Sequence, residues 1–111
     1  MLTIEKLKEF GADVEDGLVR CMNKEDFYLK LVGKAIEDNR LTLLGRQLGE
    51  KDLKGAFETA HALKGMYSNL SLNPLTKPIS EMTELLRNGT DTDYMPLLNE
   101  AMVQFEKLSS L

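Results

Sequence analysis

Residues 52–71 read DLKGAFETAHALKGMYSNLS, and the spacing of their apolar positions sets the reading of the whole chain. At about 100° per residue the run has two unlike sides. Ala56, Thr59, Leu63, Met66 and Leu70 form an apolar stripe with Tyr67 on its flank, while Lys54, Phe57, Glu58, His61, Lys64, Gly65 and Ser68 occupy the other side. A stripe of that width belongs to a helix packed on a core by one face only. His61 is the only histidine in the chain, and this phase turns it away from the core.

The flanking sequence repeats the helical period and shows no convincing alternation. Upstream, Thr3 is placed to cap a short helix carrying Ile4, Leu7 and Phe10 and ended by Gly11. Asp13 is placed to cap a second, with Val14, Leu18 and Cys21 or Met22 on one side. Asn23 reads as a break and a new cap for a helix over 24–38, marked by Phe27, Leu31 and Ile36 with Tyr28, Val32 and Ala35 beside them. Leu41, Leu44 and Leu48 define a helix over 39–49, stopped by Gly49, and Asp52 caps the central helix over 52–70. Downstream, Asn73 with Pro74 reads as a cap with proline at the first helical position. Leu75, Ile79, Met82 and Leu86 carry the period to Asn88-Gly89, and Pro78 either kinks that helix or marks a later start. Asp93 opens a last helix over 93–109 with Tyr94, Leu97, Leu98, Ala101, Phe105 and Leu108 inward. Short connections favour antiparallel neighbours. The expected fold is all-α: an antiparallel up-and-down four-helix bundle with additional short N-terminal helices, forming one domain over residues 1–111.

Composition narrows the function classes. The chain has 111 residues, is 42% hydrophobic and 29% charged, and carries a formal charge of −4, which argues against the concentrated basic face of a nucleic-acid binder. No apolar run approaches the ~20 residues that span a bilayer, and the charged, amphipathic N-terminus is no signal peptide. The single cysteine, Cys21, excludes an internal disulfide and suits a reducing compartment. A cytoplasmic, monomeric protein with no membrane and no nucleic-acid partner is expected. Neither end shows a ragged linker, which favours a free-standing chain.

Catalytic sets are hard to assemble. One histidine and one cysteine, far apart, do not make a metal site of nitrogen and sulfur ligands. Gly45 and Gly49 lack the lysine and hydroxyl residue of a phosphate loop, and the carboxylates read as solvated helix faces. His61 is what remains. Gly65, one turn later inside an otherwise strong helix, costs on the order of 1 kcal/mol relative to alanine and leaves backbone that another molecule can approach. Lys64, three residues from His61, can hold an ammonium near a group on the ring. Free imidazole is largely neutral near pH 7 and nucleophilic, and a phosphoryl group added to it would carry negative charge for Lys64 to offset.

The run His61-Ala62-Leu63-Lys64-Gly65, followed by Asn69-Leu70, resembles the signature of the histidine-containing phosphotransfer (Hpt) domain, usually His-x-Leu-Lys-Gly and then Asn-Leu-Gly. Asp52 and Ala60 also stand where that family commonly has an aspartate-led helix start and a small residue before the histidine. The family's fold, a four-helix bundle with extra short helices, is about the length of this chain. Ser71 departs from the pattern, where glycine is usual; the departure concerns how the helix ends.

The resemblance implies that His61 accepts a phosphoryl group from the aspartyl phosphate of a receiver domain, or from a sensor or hybrid histidine kinase, and passes it to a response-regulator receiver. Lys64 would stabilise the phosphorylated form and Gly65 would admit the partner's loops. Phe57 is a candidate docking anchor, equally an edge-of-core residue; Ser68 would permit close approach; Glu58, with Lys54, reads more as solvated face than as contact. No cofactor is expected on this chain, since Mg²⁺ and the acidic transfer machinery would belong to the receiver. No ATP-binding kinase segment is visible, so phosphorylation would come from partners. The alternative is a docking or adaptor module for receiver or kinase domains whose histidine is never phosphorylated.

Overall fold

The computed structural model describes all 111 residues, and they form seven α-helices and no strands: α1 (Ile4–Phe10), α2 (Val14–Arg20), α3 (Glu25–Glu37), α4 (Arg40–Gly49), α5 (Leu53–Asn69), α6 (Asn73–Arg87) and α7 (Met95–Ser109). The all-helical class read from the sequence is the one observed. α5 lies between α4 and α6, and α6 between α5 and α7, while α1 and α3 reach α7. No helix is long and apolar enough to cross a membrane.

The N-terminal caps fall as the side chains dictate. Thr3 Oγ1 accepts from Lys6 N at 3.2 Å, and Gly11 ends α1 at φ 112°. Asp13 accepts from Asp16 N, and Asp52 accepts from Gly55 N. Other expected caps move by one residue. Lys24, not Asn23, precedes α3; the break itself is real, with Met22 and Asn23 both at positive φ. Leu72, not Asn73, precedes α6, because Asn73 already turns helically ahead of Pro74. Tyr94 precedes α7, although Asp93 Oδ1 still accepts from Met95 N at 3.0 Å. Pro78 lies buried inside α6, which continues through it.

Two apolar stripes are rotated from their expected phase. In α3 the fully buried positions are Tyr28, Val32 and Ala35; Leu31 and Ile36 are half-buried and Phe27 is 40% exposed. In α5 the centre of the buried face is Ala56, Thr59, Ala60, Leu63 and Tyr67, and Met66 is half-buried. The reason in both helices is a tyrosine. Tyr28 and Tyr67 are the largest fully buried side chains, and turning each helix to bury a ring of that size removes a large apolar area from water.

Tyr28 also ties the N-terminal helices to the end of α5. Its hydroxyl donates to Leu70 O at 2.8 Å, and burial pushes the phenol up to about 12, so it stays a donor. Gly17 in α2 lies against that ring: a Cβ there would stand 2.6 Å from Tyr28 Cε1. Next in the chain, Ser71 adopts φ 55°, a conformation that costs a non-glycine residue about 1 kcal/mol. Its surroundings compensate. Ser71 Oγ donates to Asp16 Oδ2 at 2.5 Å, and Ser71 O accepts from Asp13 N at 3.0 Å. The place where this chain has serine in place of the family's usual glycine is therefore a left-handed turn held by α2.

Candidate functional site

The rotation of α5 that buries Ala56, Ala60, Leu63 and Tyr67 leaves His61 and Gly65 exposed and Lys64, Phe57 and Ser68 half-exposed. Positions 57, 61, 64, 65 and 68 differ by three or four residues and so share one side of the helix. His61 stacks on Phe57, with ring centroids 5.7 Å apart and planes 20° from parallel. Phe57 packs against the core edge, so it presents a ring fixed from below for the imidazole to lie on.

The short turn after α5 returns the chain as α6, which supplies two more groups. Arg87 Cζ lies 5.1 Å from the centroid of the Phe57 ring. Glu84 faces both cations of the site: Lys64 Nζ lies 3.8 Å from its Oε1, and Arg87 Nε lies 3.4 Å from its Oε2. Phe57 also borders a shallow depression with Leu53, Lys54, Leu86, Arg87 and Gly89. At Gly65 a Cβ would meet nothing within 4 Å. Nothing inside this chain requires glycine there.

His61, Phe57 and Lys64 are thus brought together, Lys64 through Glu84. Gly65 and Ser68 continue the same face toward the C-terminal end of α5, and Glu58 is exposed with no ion-pair partner. Glu84 and Arg87 are not singled out by the sequence, where carboxylates read as solvated helix faces. The available signal was the α5–α6 hairpin: folding about residues 70–72 lays the last turns of α6 across from the first half of α5. Nowhere do three or more histidine, cysteine, aspartate or glutamate side chains gather as they do around a metal ion.

A family model described as the Hpt domain matches residues 37–110. The chain belongs to the Hpt-domain family. A search of curated proteins and a search of solved structures each returned no match. The matched span opens at the last residue of α3 and takes in α4, α5, α6 and α7, with His61 inside it; α1 and α2 lie before it. As an Hpt domain the chain has a phosphotransfer role in phosphorelay signalling and interacts with phosphorelay partners.

Proposed function

We propose that the chain is a phosphorelay intermediate whose phosphoacceptor is His61. The observation that carries this reading is the exposure of the single histidine on α5, stacked on Phe57, with open space at Gly65 one turn away. An imidazole nitrogen lone pair attacks the phosphorus of a receiver's aspartyl phosphate. The phosphorus–oxygen bond breaks, the aspartate carboxylate leaves with the electron pair, and the new phosphorus–nitrogen bond holds the group until a second receiver aspartate reverses the step. The stacked ring limits the orientations His61 samples before attack.

Lys64 offsets charge on the phosphoryl group, an ion contact shorter and stronger than a neutral one. Gly65 and Ser68 let the receiver's loops approach the helix. Phe57 is the apolar anchor of the docking face, with Glu58 on its polar rim. Mg²⁺ sits on the receiver, and this chain needs no cofactor of its own. Receiver domains and a sensor or hybrid histidine kinase are its partners, and it works as a monomer.

Incubation with a ³²P-labelled phosphorylated receiver domain tests the reading. The expected result is label on the chain that is acid-labile and alkali-stable, and that His61→Gln abolishes. Receivers that bind the chain without labelling it would favour the docking-only role instead.

A further inference from the structure

Glu84 spends both carboxylate oxygens on two cations, Lys64 one helical turn from His61 and Arg87 over the Phe57 ring. Oε1 lies 3.8 Å from Lys64 Nζ and Oε2 lies 3.4 Å from Arg87 Nε. Arg87 lies over Phe57, Phe57 stacks on His61, and Lys64 stands one turn from His61 on the same helix. Five side chains therefore form a chain of four contacts across α5 and α6, with one carboxylate between its two cations. The side chains of Lys64, Glu84 and Arg87 are 34%, 56% and 47% exposed. Ion pairs this open to water are weak and exchange readily.

We propose that Glu84 is a positioning residue that acts as the resting counter-ion of the site, occupying Lys64 and Arg87 until a phosphoryl group on His61 displaces it. The inference rests on His61 being the phosphoacceptor. The cations exchange one anion for another, and no proton or electron moves in the exchange. The consequence is a weaker hold on the phosphoryl group. Competition from Glu84 for Lys64 and Arg87, and its own repulsion of the arriving anion, both lower the stability of the phosphorylated form. A relay intermediate must release what it accepts, and Glu84 favours release.

The test loads the full chain with phosphoramidate, a small donor with no docking surface, so that partner contacts to Glu84 play no part. The donor's phosphorus–nitrogen bond breaks, ammonia leaves with a proton, and the phosphoryl group passes to His61. With phosphoramidate and ammonia at fixed concentrations, ³¹P NMR reads the ratio of phosphorylated to free chain. Glu84→Gln should raise that ratio about threefold at low salt, the size expected for freeing Lys64 from one exposed ion pair. Glu84→Asp should stay near the wild-type ratio. At about 1 M salt, where the screening length is about 3 Å, the gain in Glu84→Gln should collapse, a change that a purely structural role would not produce. An unchanged or lowered ratio in Glu84→Gln overturns the proposal, as does a gain that ignores salt. A wild-type chain that accepts no phosphoryl group from phosphoramidate or from a phosphorylated receiver defeats the phosphoacceptor reading and this proposal with it.

Discussion

The C-terminal end of α5 and the outward side of its middle are built by opposite rules. At its C-terminal end the contacts are mutually satisfied and centred on buried groups: the buried Tyr28 hydroxyl on Leu70 O, buried Ser71 held by the exposed Asp13 and Asp16, and Gly17 pressed on the Tyr28 ring. Two to three turns earlier, the outward side around His61 has a stacked ring, two open ion pairs and a glycine facing empty space. Groups that hold the fold are expensive to separate. On the proposed function, groups that handle an incoming phosphoryl group have to separate easily, and the contacts around His61 are of that kind, each open to water. The difference teaches where stability and function divide along a single helix.

Tyr28→Ala is the severest test of that division. Losing a buried aromatic ring costs about 3–5 kcal/mol, and it also strands the Leu70 carbonyl. Thermal melting should fall by well over 10 °C, at about 4 °C per kcal/mol for a chain of this size. Below its midpoint the variant should still take up the phosphoryl group. A folded variant that takes up none would mean the two regions are coupled.

The glycines sharpen the comparison. Gly17→Ala forces a methyl group against the Tyr28 ring, an overpacking penalty of about 1–3 kcal/mol that outweighs the roughly 1 kcal/mol alanine gains over glycine in a helix. Gly65→Ala has room for its methyl group and should keep or raise stability, by up to about 1 kcal/mol. Receiver-dependent transfer to the same variant should slow on the order of tenfold, about 1.4 kcal/mol of lost docking. Loading of Gly65→Ala by phosphoramidate should be unaffected. A Gly65→Ala chain that melts lower, or transfers normally, breaks the assignment of that glycine to the partner.

The smallest effect is a pH dependence. The hydrogen bond from Ser71, then that from Arg20, holds the Asp16 carboxyl below the usual carboxylate range. A carboxyl whose pKa is lower folded than unfolded contributes stability above its unfolded value and loses it as pH falls through the folded value. The melting-temperature gap between wild type and Ser71→Ala should therefore be widest near neutral pH and narrow on acidification from about pH 4 downward. A gap independent of pH would show that the turn strain alone, and not Asp16, sets the cost of the substitution.

Much of this was legible in the sequence, and the misses share a cause. Helical periodicity located every helix to within about two residues, and the phase of residues 52–71 turned His61 outward, as observed. Apolar character alone could not rank Phe27 against Tyr28, or Met66 against Tyr67, because the ranking depends on which ring another helix receives. The caps moved from Asn23 and Asn73 for a similar reason: side chains good at capping lost to neighbours set by the turn geometry. Glu84 and Arg87 were hidden because a charged helix face looks solvated until the helix across from it is in place. Ser71 is the reverse case. Its departure from the family's glycine was visible, but the Asp16 and Asp13 contacts that support it lie 55 and 58 residues away in the chain.

The most direct measurement compares wild type with His61→Gln for phosphoryl uptake from a phosphorylated receiver, with thermal melting recorded on the same samples. His61 is exposed and its ring stacks on Phe57, so the expected result is complete loss of acid-labile label with the melting temperature essentially unchanged. Label that persists on folded His61→Gln, or a melting temperature that collapses with the substitution, would contradict the division between the C-terminal end of α5 and its outward middle.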